Sequence, residues 1–367
     1  MNRREVGLRE FARATDGRGP VATGVVRAAS PVLADGVNQF IFADVFSRSG
    51  LGAREREMIT VTVLAAIGAA DNQLGVHVPA ALRCGADPEE LLQLCEQIAP
   101  YCGFPRALNA LRAVRAVLDE RGIAYPAPVA EVALADHGTL VTDRGEGEHG
   151  DLLLHAPELD RRVWRDLIAA MPEGRIVAPD LRGAGAAVGA PAAADHAALA
   201  TDMIGVMDAL GLRTARVVCL GGAAPLGAAL ARAAAGRVTE LVLVGPLRPG
   251  GAGGSPASGE APDAGDLAHW LQPRTFAADP WAARYARDRV ARIDAEGWAS
   301  LVAALATADP TATGEVPVRV IVGEHDALVD HDAVSVAWLG ATLTHVAGAG
   351  HLVPLEAPAA LAAAITG

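Results

Sequence analysis

Along the first third of the chain, apolar residues recur at helical spacing; beyond residue 130 they gather into short runs separated by longer stretches of mixed polarity. Residues 38–121 predict consecutive helices. The first of these runs over 51–68 with an apolar face, and a second over 72–83 is stopped by Gly85, which suits a left-handed C-terminal cap. Asp87-Pro88-Glu89-Glu90 supplies an N-cap, a proline at the first helical position and acidic side chains in the first turn of a helix reaching residue 100. Phe104-Pro105 opens a last helix that ends near Arg121-Gly122. The segment 123–129 has two prolines and no period, and marks a boundary. After it, 152–155, 175–180, 215–219, 241–245 and 318–322 read as short buried strands with helical stretches between them, the pattern of a mostly parallel sheet. The expected organisation is a helical domain over 1–122, a linker over 123–135 and an α/β domain over 136–367.

Composition bounds this picture. With 367 residues, 51% of them apolar, the chain can fill two cores. It is rich in Ala, Gly and Arg and poor in Lys, so Ala-rich windows are weak helix evidence and periodicity carries the assignments. A net charge of −12 without a basic cluster argues against a nucleic-acid partner and for small molecules. No apolar run reaches membrane-spanning length and residues 1–20 lack a signal-type apolar segment, so a cytoplasmic protein with no membrane partner is expected. Cys84, Cys95, Cys102 and Cys219 show neither a C-x-x-C pair nor zinc spacing; buried reduced thiols are expected, with no metal and no cofactor.

The chemistry-bearing pattern lies in the second half. Strand residues up to Leu220 enter Gly221-Gly222-Ala223 and then a helix pattern over 224–235, the strand, turn and helix of a nucleophile elbow. In such a turn the central residue carries the attacking hydroxyl, and Gly221 has no side chain. An acid and a histidine nevertheless follow in triad order: Asp326 after the strand 318–322, and His351 in Gly348-Ala349-Gly350-His351. A base without a nucleophile cannot build an acyl-enzyme, but it can move a proton beside a carbonyl in cyclisation, enolisation, elimination or decarboxylation. The bland alternative is a decayed hydrolase in which Gly221 relaxes a strained turn. Cys219, two residues early on a buried strand, is a poor substitute nucleophile.

Three stretches make residues 136–366 resemble the α/β-hydrolases, and within them the 3-oxoadipate enol-lactone hydrolases: the run from His155 through Trp164, the run from Pro179 through Gly185, and the elbow with its acid and histidine. The resemblance implies an α/β-hydrolase fold with a helical cap over about 247–310, where the Gly-, Pro- and Ser-rich run 249–265 reads as a mobile loop. It also implies an oxyanion hole with one N–H from Gly222 and another from the loop after the first central strand; that second donor position falls on Pro157, which has no N–H. Trp164, Trp270 and Trp298, with Trp281, are candidates to pack an aromatic ligand in the space opened by Gly221, against the commoner use of tryptophan in cap–core packing.

In the first half, Arg54-Glu55-Arg56 leading into an apolar helix, Gln73-Leu74-Gly75-Val76-His77, and the run from Tyr101 through Ala110 resemble the carboxymuconolactone decarboxylase family over nearly the whole helical domain. The family implies an all-helical domain that assembles into rings, commonly hexamers, and acts on a lactone without metal or organic cofactor. His77 is its candidate acid/base. The related alkylhydroperoxidase branch places two cysteines ahead of that histidine; Ala70 and Gln73 stand there, which excludes a thiol peroxidase. Gln73, one turn before His77, is placed to orient the ring or bind a substrate oxygen. The family usually has Glu there, and Gln cannot exchange a proton, so His77 is expected to work with a weaker partner. Arg48 is a candidate for a substrate carboxylate, and Asp44 falls near the family's acidic position, with Phe42 and Phe46 replacing neighbouring tryptophans. The competing readings are a core histidine and a solvated arginine.

Taken together, the expectation is a cofactor-free lyase or isomerase, a homo-oligomer acting on a lactone, keto acid or aromatic polyketide. Its rivals are a 4-carboxymuconolactone decarboxylase with an inert hydrolase domain, and a non-catalytic binding or assembly protein.

Overall fold

A computed structural model describes residues 2–14, 19–69, 71–123, 125, 129–247, 261–263, 265–278, 280–309, 311–329 and 341–367. They divide into two units, Met1–Tyr125 and Pro126–Gly367. Ala70, the boundary prolines Pro126 and Pro128, and residues 249–260 and 264 of the 249–265 run lie outside the described residues.

The helical unit follows its sequence signals closely. The helix Ala53–Ile67 ends at Gly68, whose φ of 74° places it in the left-handed region. Asp71–Arg83 is followed by Gly85 at φ 93°, where the N–H of Ala86 reaches back to the carbonyl of Ala81 at 2.9 Å. Pro88–Gln97 carries a complete capping box between Asp87 and Glu90. It stops short of residue 100, since Pro100 has no N–H to continue the ladder, and a separate short helix, Ala99–Cys102, precedes Phe104–Glu120. Val61, Ala65, Leu74, Val78, Leu91, Cys95, Val114 and Leu118 pack together as the core. Ahead of them, Phe11 of the helix Arg3–Ala14 stacks on Phe42 of a π-helical segment, Gly36–Phe46, with centroids 4.2 Å apart.

Among the described residues the second unit is built on eight strands: β1 Val129–Ala133, β2 Gly138–Arg144, β3 His149–Leu154, β4 Arg175–Pro179, β5 Thr214–Leu220, β6 Val238–Val244, β7 Val318–Gly323 and β8 Thr342–Val346. Their order is β1-β2-β4-β3-β5-β6-β7-β8; β1, β2 and β4 pair antiparallel and the rest pair in parallel. β1 falls inside the stretch read from sequence as linker. The central strands alternate between two apolar layers: Leu152, Val217, Cys219, Leu241 and Val320 face one, under the helices His196–Ala209, Ala224–Ala233 and Ala295–Ala306. Leu153, Val218, Val242 and Ile321 face the other, with Arg165–Ala170 and Pro358–Thr366. Burial on both faces explains their near-continuous apolar sequences, and places the chemistry where the parallel strands end.

Candidate functional site

In the helical unit, His77 Nδ1 lies 2.8 Å from Glu57 Oε2, and the two side chains are 31% and 2% exposed. Glu57 sits on the buried stripe 57, 61, 65 of the helix Ala53–Ile67. A buried carboxylate on Nδ1 orients the ring and leaves Nε2 as the nitrogen that exchanges with a ligand. The expected weak partner is therefore corrected: Gln73 is exposed, and the group that holds His77 is an acid twenty residues upstream. A lone carboxylate on an otherwise apolar helix stripe was the available sequence signal.

The other expected residues of this half sit elsewhere. Asp44 is held by Arg3 in an ion pair joining Gly36–Phe46 to Arg3–Ala14. Arg48 is exposed and lines, with Glu10, Arg13 and Phe46, a cleft of about 340 Å³ that includes neither His77 nor Glu57.

In the second unit, Gly221 follows β5 with φ 52° and begins the short turn Gly221–Ala223 ahead of Ala224–Ala233. A Cβ placed on it would lie 3.4 Å from His351 Nε2 and 3.6 Å from the Ala156 Cβ. The elbow thus keeps its positive φ and aims its missing side chain at a histidine. His351 Nδ1 is 2.9 Å from Asp326 Oδ2, with side chains 1% and 0% exposed, and the other Asp326 oxygen accepts the Leu328 N–H. His351 Nε2 is buried with no hydrogen-bond partner among the described residues. A Cβ on Gly245, just after β6, would meet Asp326 Oδ2 and His351 Nδ1 at 3.2 Å, so a side chain at this position of positive φ would crowd the dyad.

The loop after β3 makes the opposite wall. His155 is fully buried; its Nδ1 bonds the Ala156 carbonyl and its Nε2 accepts the Leu181 N–H at 2.9 Å, and burial pulls its pKa down, so it is a neutral brace. The Leu159 N–H closes a turn onto the Ala156 carbonyl, with Pro157 and Glu158 at its centre. Pro157 Cδ would stand 3.1 Å from a Cβ on Gly222. The ring packs beside Gly222 and offers no N–H of its own. Glu158, which the sequence reading passed over, is 8% exposed.

The histidine loop is clamped from the cap side. Glu356 accepts the N–H groups of Gly350 and Gln272, both at 2.6 Å, and the Thr275 hydroxyl at 2.7 Å, while the Leu352 N–H bonds the Trp270 carbonyl at 3.2 Å. Trp164 and Trp270 are packed into an apolar core layer; Trp281 stacks on Tyr285 beneath the Arg165 guanidinium. Trp298 is 4% exposed on the helix Ala295–Ala306, which packs against the Gly221–Ala223 turn. Cys219 lies in the core layer beneath Ala224–Ala233, where burial pushes its thiol up; it does not face the site. Asp136, His137 and Asp202 could present ligand atoms to one cation, but the Arg182 guanidinium already bonds both carboxylates. Among the described residues no helix is long and apolar enough to cross a membrane.

Residues 31–116 match the model of the carboxymuconolactone decarboxylase family, and residues 137–364 that of the alpha/beta hydrolase family. A 4-carboxymuconolactone decarboxylase of Acinetobacter baylyi is 32% identical over 88 residues, 24% of this chain; the chain spans 65% of that relative's length. Among solved structures, an enol-lactonase from Burkholderia xenovorans superposes with a TM-score of 0.55 at 23% identity, covering 65% of this chain and 98% of that one. A thermophilic esterase from Thermogutta terrifontis gives 0.53 at 23% identity, covering 65% and 97%. At that identity the likeness is one of fold.

Proposed function

This chain belongs to the α/β-hydrolase family, and on that premise we propose that it acts without the covalent step that a nucleophile elbow ordinarily serves: a cofactor-free lyase or isomerase that moves protons on a lactone or keto acid. The observation that carries this reading is the buried Asp326–His351 dyad, whose unpartnered Nε2 faces the bare Gly221. An unsatisfied buried polar atom costs about 1–3 kcal/mol. A scaffold would be more stable with an apolar side chain at position 351, so the cost points to a ligand that completes the bond.

The Glu57–His77 pair gives the helical unit a second acid/base centre. Its likeness to a 4-carboxymuconolactone decarboxylase suggests a carboxylated lactone as substrate there. As CO₂ leaves, the electron pair enters the conjugated carbonyl, and an acid then protonates the carbon. Copies of the chain are proposed to associate through the helical unit, where Ile59, Val63 and Ile67 are exposed on one face of one helix.

The test is mass-spectrometric product analysis with 4-carboxymuconolactone and its enol-lactone product, in water enriched in ¹⁸O. Rearranged or decarboxylated product without ¹⁸O is expected, falling about 10²–10⁴-fold in His77→Ala or His351→Ala according to the step each serves. Ring-opened, ¹⁸O-labelled acid formed by the wild type and lost in His351→Ala would overturn the non-hydrolytic reading. Unchanged lactone despite saturable binding would make the protein a binder.

A further inference from the structure

The wall opposite His351 carries a buried carboxyl that no part of the reading above uses. Glu158 is the second central residue of the turn closed by the Leu159 N–H on the Ala156 carbonyl. The two residues before it touch the elbow: Ala156 Cβ stands 3.6 Å from a Cβ at Gly221, and Pro157 Cδ 3.1 Å from one at Gly222. Glu158 is 8% exposed, and no arginine or lysine among the described residues acts on its carboxyl. His351 is the titratable side chain that acts on it, and its own backbone N–H is its hydrogen-bond donor. A buried carboxyl without a cation is disfavoured as an anion. Burial indeed lifts Glu158 above the ordinary 4.5, against the opposing pulls of that N–H and of His351.

In a hydrolase this loop donates an N–H to the developing oxyanion, and Pro157 has removed it. We propose that the Glu158 carboxylic acid replaces that donor, protonating a substrate carbonyl oxygen while His351 takes the proton from the adjacent carbon. This deepens the proton-transfer reading and rests on it. The substrate class is a ketone or enol-lactone with an acidic α-hydrogen. The C–H pair becomes the C=C bond of an enol, the carbonyl π pair goes to oxygen, and oxygen takes the Glu158 proton, leaving a carboxylate and an imidazolium. Reprotonation by the imidazolium, at the same or a conjugated carbon, and return of the enol proton to Glu158 restore both groups with no net redox change. A carboxyl kept neutral by an apolar site is a known way to stabilise an enolate oxygen.

The test uses the full chain and α-angelica lactone, a small enol-lactone, in D₂O, with proton NMR following deuterium entry and double-bond migration. Wild type, His351→Ala, Glu158→Gln and Glu158→Leu are compared, with circular dichroism to confirm folding. The neutral-carboxyl infrared band is recorded between pH 5 and 8 in wild type and Glu158→Gln. The expected result is exchange that falls at least about 100-fold in all three variants, and a band at pH 7 that Glu158→Gln removes. Exchange lost in His351→Ala but kept within twofold in Glu158→Gln overturns the role of Glu158 and leaves the base intact. A Glu158 ionised throughout pH 5–8 overturns it whatever the turnover. No exchange by the wild type overturns the proton-transfer reading and this inference together.

Discussion

At Gly221 a single missing side chain leaves the elbow without an attacking hydroxyl. The backbone already holds the φ of 52° that an elbow needs, and a new Cβ would find His351 Nε2 at 3.4 Å. Gly221→Ser should therefore place a hydroxyl against the orphan nitrogen, at a strain cost of about 1–3 kcal/mol for a non-glycine residue in that region. The expected outcome is a stoichiometric burst of p-nitrophenol from p-nitrophenyl acetate with slow turnover after it, since a missing oxyanion donor costs about 10²–10³ in rate. The same variant should lose the proposed proton-transfer activity, because the serine hydroxyl would occupy the base. A variant with unchanged native turnover would show that the reaction happens elsewhere.

The elements that place these residues differ in how plainly the sequence announces them. Capping residues around Asp87 and Gly85 act within one helical turn, so the helices of the first unit can be read locally. The apolar runs of β3 to β7 are legible because burial on both faces leaves no room for polar residues. β1 and β8 lie at the sheet edges, with β2 next to β1, and all three mix polar with apolar side chains, as in Thr342-Leu343-Thr344-His345-Val346, so they carried no comparable signal. Gly221, Asp326 and His351 stand out in the chain because motif order survives in one dimension. Glu57, Glu158 and Glu356 do not, because the groups around each carboxyl are brought near only by folding. Glu356 illustrates the consequence: its two oxygens accept two backbone N–H groups and a hydroxyl, binding the histidine loop to the segment 270–275. Glu356→Gln leaves one acceptor oxygen and is expected to cost about 1.5–3 kcal/mol. Urea unfolding followed by tryptophan fluorescence measures this cleanly, because all five tryptophans lie in the second unit. An unchanged midpoint would show that the clamp contributes nothing.

At the scale of the whole molecule, the helix Ala53–Ile67 is apolar on both sides. Val61 and Ala65 face the core, Ile59, Val63 and Ile67 face outward, and the Thr60 and Thr62 hydroxyls bond back to the carbonyls of Arg56 and Met58. A helix apolar all round belongs inside something larger. Light scattering on the purified chain should give a mass that is a multiple of the 37.5 kDa monomer, and Val63→Glu should shift it toward the monomer with retained helicity. A wild-type monomer at micromolar concentration would refute association through this face. The empty elbow has a wider consequence for how such a protein is counted. Fluorophosphonate probes mark serine hydrolases by phosphonylating the hydroxyl that Gly221 lacks, while homology alone would enrol this chain among them. In a proteome profiled both ways it should appear in the sequence census and stay dark on the gel.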